Sequence, residues 1–177
     1  MNATSATAFS PAVDGVFLAL GQTLYACQLF EATMLEVLAA AHELLDGSGD
    51  GTKVEASIET LSRKTLGQLL HDMRKRADIR ADADDLLNEA LEARNHVVHR
   101  FAENLGDDLT EESKLHALKR SLYEKCAIVM NANTTALAVL DAIGHLNSER
   151  STRIINEHEQ VAAALQELMA EYSKPRH

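Results

Sequence analysis

At 177 residues, with 46% hydrophobic and 25% charged side chains, the chain reads as one domain, 1–177, and has too much apolar side chain for a disordered polymer. Its net charge of -10 argues against nonspecific binding of nucleic acid or anionic membrane over the whole surface. Cys27 and Cys126 are too few for a disulfide framework or a Cys-based zinc site, and no run approaches the ~20 uninterrupted apolar residues of a membrane span. Met1 to Ser10 places no positive charge ahead of an apolar run, so no secretory leader is expected and the cytoplasm is the expected compartment. Residues 1–9 and 173–177 read as flexible tails.

Ser10-Pro11 predicts the first helix start, a capping Ser followed by Pro at the first helical position. Val13, Phe17, Leu20, Leu24 and Cys27 then recur every three or four residues, and the stripe resumes at Met34, Leu38, Ala41 and Leu45. Glu31 falls on the same face and is charged. Asp46 to Thr52 is a Gly-rich acidic connection. Its first half resembles a calcium loop, but Ser57 stands where a bidentate Glu belongs. The second helical region spans about Lys53 to Arg76, with Lys64-Thr65-Leu66-Gly67 as a candidate break. Arg74-Lys75-Arg76 suits the negative end of its dipole.

The third helix is expected to start at Asp82 or Asp84 and to stop by Gly106. A fourth starts near Asp107 or Asp108, with Glu111 as a capping-box partner, and carries Leu115, Leu118, Leu122, Val129, Ala136, Leu140 and Ile143 on its apolar face. Gly144 to Ser151 is a break. The last helix, Thr152 to Tyr172, repeats Ile154, His158, Val161, Leu165, Leu168 and Tyr172; its continuity with the fourth stays open. With two Pro, no Trp and no alternating pattern, the expected fold is all-α: an antiparallel bundle of about four to five helices.

The third helix breaks its own pattern. Leu87, Leu91, Arg94, Val98 and Phe101 share one seam, with Arg94 in its middle. A guanidinium keeps its proton, so it must reach a carboxylate, a cleft or another subunit. Glu31 interrupts the first helix in the same way, which predicts a Glu31–Arg94 contact; snorkelling of either side chain to the bundle edge is the competing reading. His99 lies about 140° round an α-helix from Arg94, with Asn95 between, so the three can border one cleft. Arg binds phosphate oxygens bidentately, and His moves protons near neutral pH. Together they suit attack of an RNA 2′-hydroxyl on its neighbouring phosphate, without a metal.

Arg94-Asn95-x-x-x-His99, late in a helix of a small all-helical chain, resembles the signature of the HEPN superfamily: Arg, four to six residues, then His, with a polar residue after the Arg. The stretch from Glu89 to Phe101 fits, and Lys64-Thr65-Leu66-Gly67-Gln68-Leu69 resembles a recurring segment of bacterial members. The resemblance implies a homodimer whose two motifs meet in a shared cleft. It also implies metal-independent endoribonuclease activity in a toxin–antitoxin, phage-defence or RNA-processing setting, with RNA as substrate and an antitoxin protein as partner. Arg94 and His99 would be the catalytic pair and Asn95 their support. Some toxin members carry Tyr two places after the His. Here that residue is Phe101, so no hydroxyl is available for modification. Other members have lost catalysis and serve as binding modules.

His96 and Arg100 are candidate supporting residues, as polar edge groups or RNA-phosphate contacts. His96 and His99 would make half a metal site, but no third ligand stands near, so neither metal nor cofactor is expected. The basic side chains are concentrated here: Arg63 to Arg100 holds 8 basic and 7 acidic residues, a balance of +1, against -11 for the rest. The alternatives to a nuclease are a non-catalytic helical interaction module with Arg94 as a structural ion-pair centre, and a helical small-ligand or nucleotide binder using the same cleft.

Overall fold

Ser10 starts the first helix as its sequence predicts. Its Oγ accepts the Val13 N–H at 3.4 Å and its carbonyl accepts the Asp14 N–H at 3.0 Å. The structure, a computed structural model, describes residues 10–46, 52–76, 78–104, 109, 111–142 and 149–172. The tails, most of the acidic Gly-rich connection, Gly106, the expected caps Asp107 and Asp108, and the Gly144 side of the last break lie outside the described residues.

The described residues form an all-α bundle without strands: α1 (Pro11–Asp46), α2 (Thr52–Leu61), α3 (Leu66–Arg76), α4 (Ala81–Asn95), α5 (Glu112–Ala142) and α6 (Glu149–Tyr172). A π-helical turn (His96–Arg100) and a 3-10 turn (Phe101–Asn104) extend α4. Six helices replace the expected four to five. The second region divides at its candidate break, because Thr65 and Gln68 form a reciprocal capping box. Thr65 N–H donates to Gln68 Oε1 at 2.8 Å, and Gln68 N–H to Thr65 Oγ1 at 3.4 Å. The last two regions are separate helices.

Helices α1 and α5 form the central pair. Val13, Val16 and Ala19 share a core with Leu115, Leu122 and Tyr123, while Phe30, Met34 and Leu38 share one with Val129, Met130 and Leu140. Early residues meet early and late meet late, so this pair runs parallel. Thr23 sits in the seam, its Oγ1 donating to the Ala19 carbonyl at 2.7 Å and lying 3.2 Å from that of Leu122. α4 runs opposite to α1, with Glu31 beside Arg94 and Val16 in one cluster with Val97 and Phe101. α6 runs opposite to α5: His158 meets Asn133, and Val161 lines a groove with Cys126.

Three local expectations need correction. α4 begins after Arg80, and neither Asp82 nor Asp84 caps it; Asp84 instead accepts Arg74 Nε at 2.6 Å, which ties α3 to α4. Phe17 is 38% exposed, because the buried stripe of α1 runs through Val13, Val16 and Ala19. Val98 is 41% exposed, and the seam of α4 runs through Leu87, Ala90, Ala93, Val97 and Phe101. Arg94 therefore borders the buried seam. Helix α1 is long and apolar enough in composition to cross a membrane, and 61% of that apolar stretch is buried against the bundle.

Candidate catalytic cleft

Arg94 and His99 owe their meeting to a change of helix type. On a regular α-helix the two point about 140° apart. After Asn95 the backbone widens into the π-helical turn, whose i→i+5 bonding brings a residue five places on back over its predecessor. Val97 and Phe101, both buried, hold this turn against Val13, Val16 and Leu122. Arg94 Nη1 and His99 Nε2 end 3.1 Å apart. A guanidinium only donates, so Nε2 is the acceptor in this contact.

Three side chains fix Arg94. Its Nε donates to Glu31 Oε1 of α1 at 2.7 Å, the contact expected from the two interrupted seams. Its Nη1 donates to Asn95 Oδ1 at 3.2 Å as well as to His99. The Arg94 and Glu31 side chains keep 17% and 32% of their exposure, so the pair lies at the wall of the bundle and is shielded from most solvent. The Nη2 hydrogens have no partner among the described residues.

A cleft of about 380 Å³ opens over these groups, lined by Leu91, Arg94, Asn95, His99 and Arg100 on one wall and Thr65, Leu66 and Gly67 on the other. The second wall is the capped start of α3, where helix-end amides carry partial positive charge. Sequence reasoning did not place Thr65 or Gly67 in the site. The Thr-x-x-Gln signal that starts α3 was readable, but nothing local says which partner that start faces.

His96 lies elsewhere. It opens into a second cleft of about 530 Å³ between α4 and α5, beside Glu89, Glu92, Lys125 and Ile128; Asn95 and Arg100 line both clefts. Burial, then the Lys125 and Arg100 charges, push the His96 imidazole below its ordinary value, against a smaller opposing pull from Glu103. Of the candidate residues, the structure thus gathers Glu31, Arg94, Asn95, His99 and Arg100, and turns His96 to the far side.

Other chemistry is scarce. Burial pushes the Cys27 thiol up to about 12 and the Cys126 thiol up to about 11, so both pack as inert apolar groups. Among the described residues no group of three or more His, Cys, Asp or Glu is placed to hold a metal ion. Comparison with protein families, characterised proteins and solved structures finds no match. Fold and site together define an all-helical bundle with an Arg94–His99 cleft set on a π-helical turn.

Proposed function

We propose that the protein is an endoribonuclease of HEPN type, cytoplasmic and homodimeric, in a toxin or phage-defence setting. The observation that carries this reading is the 3.1 Å approach of Arg94 Nη1 to His99 Nε2 inside an open cleft. A phosphate oxygen accepting from Arg94 Nη2 would sit within reach of His99 Nε2.

The chemistry follows from those positions. Once a bound phosphate takes over Arg94 Nη1, the freed His99 Nε2 takes the proton of the ribose 2′-hydroxyl, and O2′ attacks the adjacent phosphorus. The P–O5′ bond breaks, leaving a 2′,3′-cyclic phosphate and a 5′-hydroxyl. The departing O5′ gains a proton from an imidazolium, either His99 of the same cleft or that of a second copy across a dimer. Arg94 neutralises the charge that grows on the non-bridging oxygens. Glu31 and Asn95 hold the guanidinium in place, so little ordering remains at the moment of reaction. The start of α3 adds favourable potential for the same anion.

The chain's surplus acid lies outside residues 63–100. It repels RNA from most of the surface, directs it to the cleft and offers a face to a basic antitoxin. The test is incubation with a defined RNA in chelator and analysis of the ends. Cyclic phosphate with 5′-hydroxyl supports the reading, whereas 5′-phosphate ends contradict it.

One observation favours a second reading, a non-catalytic interaction module. The Glu31–Arg94 pair links α1 to α4 at 2.7 Å with both side chains largely shielded, as a structural ion pair would. That role leaves the approach of His99 to Arg94 unexplained.

A further inference from the structure

Far along α3 and α4 from the cleft lies a cavity of about 510 Å³, and the two share no lining residue. Four helices and the α3–α4 link line it, and it opens to solvent on one side. Its interior is almost entirely apolar, built from Met34 and Leu38 of α1, Met73 of α3, Leu87 of α4 and Ala136 of α5. That volume lies within the roughly 300–1,000 Å³ of small-molecule sites and is several times that of an apolar void which stays dry.

The rim supplies the second observation. Three arginines stand near it. Arg74 is neutralised by Asp84 at 2.6 Å, and Arg80 by Asp82 at 2.6 Å. Arg76, on the rim, makes no ion pair among the described residues. A cation with no ion-pair partner among the described residues, at the mouth of an apolar cavity, matches an amphiphile with a negative head. Asp78 lines the same rim, so a doubly charged phosphate would meet a carboxylate, while a singly charged head avoids most of that repulsion. Arg presents paired donors that match a carboxylate.

We propose that this cavity binds a small amphipathic carboxylate, such as a medium-chain fatty acid, its apolar body among Met34, Leu38 and Leu87 and its head on Arg76. The site is independent of the cleft and of any nuclease activity.

Calorimetric titration of the full chain with decanoate, without RNA, tests the proposal. One saturable site is expected. Ala83→Phe places a ring in the cavity and should weaken binding about tenfold or more. Val139→Phe, at the more exposed rim, serves if the first variant does not fold. Arg76→Ala should weaken decanoate by about tenfold while leaving decanol unchanged. Absence of saturable binding would overturn the proposal. So would wild-type affinity in the folded cavity-filling variant, or equal loss of decanoate and decanol in Arg76→Ala. The nuclease reading stands or falls separately, because no arm of this experiment reads RNA.

Discussion

Arg94 Nε and Glu31 Oε1 meet at 2.7 Å across 63 residues of sequence, joining α4 to α1 and turning the guanidinium towards His99. Removing the carboxylate leaves a shielded cation one partner short. Glu31→Ala is expected to cost about 1–3 kcal/mol in denaturant unfolding, and Glu31→Gln, which keeps an acceptor oxygen, less. If Glu31 positions Arg94 for catalysis, kcat falls with little change in KM. Unchanged kcat in a folded Glu31→Ala variant would remove Glu31 from the site.

His158 predicts a pH dependence. Asn133 Nδ2 donates to its Nδ1 at 2.8 Å, and Nε2 lies 3.3 Å from Thr134 Oγ1, which itself donates to the Met130 carbonyl at 3.0 Å. The ring is thus held neutral between α5 and α6, and burial lowers its proton affinity below the ordinary 6.5. Above that value neither folded nor unfolded chain protonates His158, and its contribution is fully present. As pH falls through 6.5, the unfolded chain gains a proton that the folded chain refuses, so stability declines until the lowered folded value is passed. Melting temperature followed from about pH 7.5 to about pH 5 should fall less steeply in His158→Asn than in the native chain. Parallel curves would contradict this role.

Gly67 offers a stabilising change. It lies in the first turn of α3, and a methyl group there would meet Leu91 carbons at 3.8 and 3.9 Å, ordinary contact distances. Gly67→Ala should raise stability by about 0.4–1 kcal/mol through lower unfolded-state entropy. A rise in the denaturant midpoint at constant slope checks it; a fall would show that the α3–α4 contact tolerates no added atom.

Much of this arrangement was legible in the sequence. Helical periodicity, the Ser10-Pro11 cap and the scarcity of strand formers lead to an all-α bundle. Two charges in otherwise apolar seams lead to the Glu31–Arg94 contact. What stayed hidden depends on partners or on backbone type. The buried seam of α4 already passes through Ala90 and Ala93 ahead of the π-helical turn, so Val97 is buried where Val98 was expected, and the turn itself breaks the 3.6-residue period that kept Arg94 and His99 about 140° apart. Asp84 looks like a cap until Arg74 recruits it from another helix. The parallel pairing of α1 and α5 is a long-range choice that short loops do not encode. The wall formed by Thr65 and Gly67 follows from how α3 docks on α4.

The most direct measurement compares the native chain with His99→Ala on mixed RNAs in chelator, both first shown to be folded and in the same oligomeric state. The account predicts that the native chain cleaves, leaving 2′,3′-cyclic phosphates, and that His99→Ala does not. Cleavage that persists in His99→Ala, or no cleavage of any RNA by the native chain, would contradict it.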